Sequence, residues 1–210
     1  LAAMTGQQLA AIALFGASNA EDMVAELVEQ AVDGDSWSIL GEAYLSRGLV
    51  DRAEDSFEMA MSFEDADPRA QNGLGQIFIR KPEFFAKAIQ HFKRAIREDP
   101  DYLEPYSNLA RAYLERDMTD GVRFARQAIE KDPDYAHALN ALGAVLTGKG
   151  RWREALRNYT RALAIYRKKG DEKGEAGALN NIGIIHNNQG RYARAMEFYE
   201  KSLAIRKRLG

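Results

Sequence analysis

No cysteine occurs anywhere in the 210 residues. Disulfides, thiolate metal sites and cysteine nucleophiles are thereby excluded, although the compartment is not identified by that absence. No apolar run approaches the roughly 18 residues of a membrane-spanning helix. Histidine is scarce. His91, His137 and His186 lie far apart, and none has the HExxH spacing of a zinc hydrolase. Gly73-x-Gly75 and Gly148-x-Gly150 lack the further glycine of a phosphate-binding loop. No Ser/His/Asp set stands out, and Met59, Met61 and Met196 read as core or helix surface. The sequence therefore reads as a non-enzyme with no catalytic residues, metal or cofactor. Proline, with five residues, falls at segment joints and first turns: Pro68, Pro82, Pro100, Pro105 and Pro133.

Charge is divided unevenly along the chain. The net charge is −2, but residues 1–120 hold 11 Lys and Arg against 22 Asp and Glu, whereas residues 121–210 hold 18 against 9. This polarity raises the expectation of salt-sensitive head-to-tail homo-oligomers. Cationic residues such as Arg151, Arg153, Arg157, Arg191 and Arg194 alternate with Glu154, Glu197 and Glu200 along one class of segment. That reads as a solvated outer face, so nucleic acid is not expected as a partner. The chain starts at Leu1 without Met and ends at Gly210, the counterpart of Gly170. It reads as a piece of a longer protein, and localisation is unassigned.

What is present is self-similarity. Residues 139–165 read LNALGAVLTGKGRWREALRNYTRALAI and residues 179–205 read LNNIGIIHNNQGRYARAMEFYEKSLAI. Leu139/Leu179, Gly143/Gly183, Gly150/Gly190, Ala155/Ala195, Tyr159/Tyr199 and Leu163/Leu203 match at an offset of 40. A fixed period of this size is the mark of a repeat architecture. Earlier units are shorter. Trp37, Leu40, Gly41 and Tyr44 form a helical stripe, Gly48 breaks it, and Ala53, Phe57 and Ala60 form a second. Leu74, Gly75, Phe78, Ala88, Phe92 and Ala95 repeat the plan with one extra residue near Lys81-Pro82. Tyr106, Leu109, Ala110, Tyr113 and Ala128 repeat it again, and Asp-Pro-Asp-Tyr recurs at 99–102 and 132–135. The units are placed at 35–67, 68–102, 103–135, 136–175 and 176–210. Residues 1–34 form a degenerate helix pair or cap, opened by Thr5-x-x-Gln8 and Ser18-x-x-Glu21.

Helices of about 12–15 residues are marginal alone in water. Stacked pairs bury the faces that one partner cannot cover. Gly41, Gly75, Ala110, Gly143 and Gly183 let neighbours approach, and Phe57, Phe92, Tyr159 and Tyr199 fill the gaps left.

The spacing W/Y/L-x2-L/I-G/A-x2-Y/F/L/H … A-x3-F/Y-x2-A/S-x4-P resembles the tetratricopeptide repeat over about 34–210. The last two units, with a longer linker at Arg167–Gly177, resemble the roughly 40-residue variant of kinesin light chains and G-protein-regulator scaffolds. Gly121, Val122 and His186 depart from the pattern. The resemblance implies an all-α, right-handed solenoid of antiparallel helix pairs and a protein-interaction scaffold or adaptor. It also implies a concave groove lined by the first helix of each pair. The positions implied to face it include Asn72, Gln76, Asn108, Arg111, Asn140, Asn180, Asn181 and Asn187. Asparagine amides there suit the backbone of an extended peptide; the same residues also suit a plain solvated face. The cationic clamp of chaperone-binding relatives is not expected, because Ser38 and Glu42 occupy its early positions. Two further readings stand beside the adaptor: a charge-driven assembly module, and the sensor part of a larger signalling protein.

Overall fold

The computed structural model describes residues 33–63, 67–115 and 118–209. The cap expected at 1–34 lies outside them, apart from its last two residues. The described residues form helices without strands. The chain divides into two compact units, Leu1–Tyr102 and Leu103–Gly210.

The first unit holds α1 (Gly34–Ser46), α2 (Val50–Ala60), α3 (Pro68–Phe78) and α4 (Phe85–Glu98). The Asp33 carboxylate accepts from the Ser36 N–H at 2.8 Å and starts α1. Asp67 accepts from the Arg69 N–H at 2.9 Å, and Pro68 fills the first helical position of α3. Each helix packs on its successor: α1 on α2, α2 on α3, α3 on α4. The contact within a pair is a glycine under an aromatic ring. A Cβ on Gly41 would lie 2.5 Å from the Phe57 ring, and one on Gly75 would lie 2.5 Å from Phe92. Both rings are fully buried. Gly73 presses on the other edge of Phe57, so that ring also joins the two pairs.

The second unit holds α5 (Glu104–Ala112), α6 (Met118–Lys131), α7 (Ala136–Gly148), α8 (Trp152–Lys169), α9 (Glu172–Asn188) and α10 (Tyr192–Leu209). Gly143 meets Tyr159 and Gly183 meets Tyr199; in each case a Cβ on the glycine would lie 2.6 Å from the ring. The α5–α6 pair solves the same problem differently. Its small residue is Ala110, and it faces a segment in which Ala125 stands where the other pairs carry an aromatic ring. Both alanines are fully buried. The ring moves one place along, to Phe124, which stacks on Tyr113 at 5.9 Å. Gly121 then lets α6 approach the Ala110 carbonyl, 3.0 Å from the place a Cβ would take.

Four turns share one geometry. Gly48, Gly150, Gly170 and Gly190 all have φ near +70°. The following N–H reaches back to a carbonyl five residues earlier: Leu49 to Tyr44 at 3.0 Å, and Arg151 to Leu146, Asp171 to Tyr166 and Arg191 to His186 at 2.9 Å. These are Schellman turns, and only glycine enters them without strain. The α3–α4 joint lacks the glycine. It uses a short 3-10 turn at Pro82–Phe84 instead, which absorbs the extra residue noted in the sequence. One reading of the sequence is corrected here. The stretch Arg167–Gly177 is not a linker: α8 continues through Lys169 and α9 begins at Glu172, so only Gly170 and Asp171 lie between them. Asp171 accepts from the Gly174 N–H at 2.8 Å and starts α9 at once.

Candidate interaction face

In the second unit the first helices of the three pairs, α5, α7 and α9, lie side by side. Leu109, Leu139, Leu142, Leu146, Leu179 and Ile182 turn into the core, with exposures of 9% or less. The helical period then leaves another stripe open on each helix. On α5 it carries Asn108 and Arg111, whereas Ser107 is buried and its hydroxyl donates to the Glu104 carbonyl at 2.9 Å; on α7, His137, Asn140 and Ala144; on α9, Asn180, Asn181, Ile184 and Asn187.

Two of these side chains bridge neighbouring helices. Asn181 Nδ2 donates to Asn140 Oδ1 at 3.1 Å. The bond uses half of each amide. Asn140 keeps its Nδ2 donors and Asn181 keeps its Oδ1 acceptor, and both residues are half-buried rather than sealed. One donor and one acceptor side by side match the two polar groups of a peptide unit. Asn180 is half-buried and Asn187 exposed on the same helix. Arg111 is exposed at the end of α5.

At the α7 end of this face His137 sits between two aromatic rings, Tyr135 at 5.5 Å and Tyr166 at 5.3 Å. The Tyr166 hydroxyl lies 3.1 Å from His137 Nδ1. Loss of water holds the imidazole below its ordinary pKa, so it is neutral at neutral pH. Burial pushes both tyrosines upward, and they stay protonated. The recurrence of Asp-Pro-Asp-Tyr was the signal for Tyr135, which closes a joint equivalent to that of Tyr102; Tyr166 lies outside the motif.

The first unit places its share of the stripe differently. Asn72 is only 2% exposed, and its Nδ2 donates to the Tyr102 hydroxyl at 3.0 Å. Gln76 is half-buried. Arg69 is held by Asp35 and Asp67, with its Nε 2.6 Å from the latter. Ser38 is buried and donates to the Gly34 carbonyl at 2.9 Å. Most of the polar capacity of this stripe is thus spent inside the unit. The open, amide-rich face belongs to the second unit.

Some cationic side chains of the second unit are paired with carboxylates. Arg151 bonds Glu154 at 2.6 Å, Arg161 bonds Asp134 at 3.0 Å, Arg167 bonds Glu175 at 2.8 Å and Arg208 bonds Glu172 at 2.7 Å. Among the described residues no group of three His, Asp or Glu side chains could hold a metal ion, and no helix is long and apolar enough to cross a membrane.

The tetratricopeptide repeat family model matches residues 134–208, the stretch that supplies α7 to α10. Residues 134–208 carry tetratricopeptide repeats. Hsp70-Hsp90 organizing protein 1 of Glycine max is 27% identical over 122 residues, which cover 57% of this chain and 20% of that protein. The chain thus spans about a fifth of the length of this relative. Among solved structures, the Cut9-Hcn1 hetero-tetramer of APC/C superposes with a TM-score of 0.77 at 19% identity, over 96% of this chain and 37% of the other. YrrB, a repeat protein described as having an unusual peptide-binding site, gives 0.53 at 18% identity, over 87% and 91%. At such identities these two structures establish the fold of the repeats.

Proposed function

We propose that the chain is a protein-interaction adaptor, and that the α5–α7–α9 face of its second unit takes an extended peptide from a protein partner. The observation that carries this is the Asn181–Asn140 bond. It fixes two half-buried amides against each other and leaves a donor on Asn140 and an acceptor on Asn181 for a ligand. A side chain held by a neighbour loses less freedom on binding than one that waves in water. Arg111 adds a cation for an acidic residue of the same peptide, and Ile184, 36% exposed, adds an apolar contact. The kinship with a protein named as an organizer of two chaperones supports a protein as partner. A non-catalytic role accords with this reading.

The test begins with peptides selected from a random library on the immobilised chain. Each hydrogen bond to a peptide backbone contributes about 0.5–1.5 kcal/mol, or roughly two- to tenfold in affinity. Asn140→Ala combined with Asn181→Ala therefore weakens the selected peptides by about one order of magnitude while helix content stays unchanged. Peptides that bind the double variant as well as the parent overturn the proposal.

A further inference from the structure

Residues 1–102 hold nine Lys and Arg against 18 Asp and Glu. Four of the nine, Lys87, Lys93, Arg94 and Arg97, fall on α4, beside one acid, Glu98. Helical spacing puts Gln90, Arg94 and Arg97 along one stripe of that helix. The stripe borders a surface cavity of about 230 Å³, which Gln71 of α3 and His91 also line. A single water needs only about 10–15 Å³ of such space, so the cavity has room for a larger group.

Gln71 is out of place on packing grounds. In the other four pairs the same position holds Trp37, Tyr106, Leu139 and Leu179. Gln71 is nonetheless fully buried. Its Oε1 lies 2.7 Å from His91 Nδ1 and takes that N–H. Its Nε2 is buried too and meets no acceptor among the described residues. A buried amide donor in that condition is costly and calls for a partner. Arg94 gives its Nε to Glu98 at 2.8 Å and keeps its terminal nitrogens. Arg97 is exposed, and no described carboxylate holds it. Two guanidinium groups and two amides thus border one cavity. A carboxylate has two oxygens to offer such a set, whereas a phosphate ester has three and up to two charges.

We propose that this cavity binds a phosphomonoester, with Arg94 and Arg97 on the phosphate, Gln71 Nε2 donating from the floor and Gln90 from the rim. His91 adjoins the same space. Burial, then Lys87 and Arg94 of its own helix, hold it below its ordinary pKa, and from α3 it meets the uncharged Gln71 and Phe78. A bound dianion opposes all three causes, so the ring takes its second proton more readily. The site belongs to the first unit and does not rest on the reading of the α5–α7–α9 face.

The probes are N-acetyl-O-phosphoserine N-methylamide, its unphosphorylated form, glycerol 3-phosphate, inorganic phosphate and acetate, all at one ionic strength. NMR of the whole chain follows the Gln71 side-chain amide and the His91 Cε1–H. The esters are expected to shift both signals saturably and to raise the titration midpoint of His91. The unphosphorylated form and acetate should leave them in place. Arg94→Gln with Arg97→Gln lowers affinity about tenfold or more, while the equal charge change Arg153→Gln with Arg157→Gln does not alter it. All four arginines are exposed, so circular dichroism should be the same in both variants. Gln71→Met keeps the volume of the floor and removes the donor, and should weaken binding about two- to tenfold. The tighter of the two esters identifies the source, a phosphorylated side chain or a small phosphate ester, and either supports the proposal. Absence of saturation overturns it, and so does binding undiminished by Arg94→Gln with Arg97→Gln. Acetate that moves the same signals, or inorganic phosphate that binds as tightly as the esters, overturns it equally.

Discussion

Glycine under a ring is the residue-scale unit of this fold, and its cost can be measured against a glycine that has no such duty. Gly143→Leu drives a side chain into Tyr159 and should lower stability by about 1–3 kcal/mol. Gly177, also helical, has nothing within 4 Å of its Cβ position. Gly177→Ala should raise stability by up to about 1 kcal/mol through helix propensity alone. Urea midpoints of the two variants check both signs. His91 gives a second prediction. Its Nδ1–H donates to Gln71 Oε1 at 2.7 Å, and its ring lies against Phe78. Burial, then Lys87 and Arg94, hold its pKa below 6.5. The unfolded chain therefore takes up this proton first. The stabilisation is present above about pH 6.5 and is lost as pH falls through the folded value. His91→Gln should shrink the drop in urea midpoint between about pH 7.5 and about pH 5.5. Residue identity alone did not separate Asn72 from Asn140. Both hold the same register in their helices, but Tyr102 arrives over the first and a neighbouring amide over the second. That difference comes from contacts 30 and 41 residues away, which no local pattern encodes.

Among the elements, the paired helices were legible because both partners of each glycine–ring contact recur at a fixed spacing. The α5–α6 pair was legible only as a departure. Its logic, Ala110 opposite Ala125 with the ring displaced to Phe124, needed the packing. This predicts a coupled pair of substitutions. Ala125→Phe alone should destabilise by about 1–3 kcal/mol by overfilling the contact. Adding Ala110→Gly should recover part of that loss, and a double-mutant cycle by urea denaturation measures the coupling. The misreading at Arg167–Gly177 has a plain cause. Lys168, Lys169, Glu172 and Lys173 are charged, and an exposed helical turn needs no apolar residue to persist when it is capped and continuous with a buried one. Gly170 and Asp171 were the true signals, one ending a helix and the other beginning the next.

At the scale of the molecule, the chain holds two compact units, and the open amide face lies wholly in the second. Repeat arrays take their stability from each repeat and its neighbours. Residues 103–210 produced alone should therefore be helical by circular dichroism and unfold cooperatively in urea; a non-cooperative loss of signal would contradict this. The stacking of helix pairs was readable beforehand; the difference between the polar stripes of the two units was not, because it depends on which polar groups find internal partners. The two Gly-Arg turns, at 150–151 and 190–191, have the same geometry. Excising residues 151–190 joins Gly150 to Arg191 and recreates the same junction. It also brings Tyr199 over Gly143, as Tyr159 was before. A chain shortened by these forty residues should therefore still unfold cooperatively in urea.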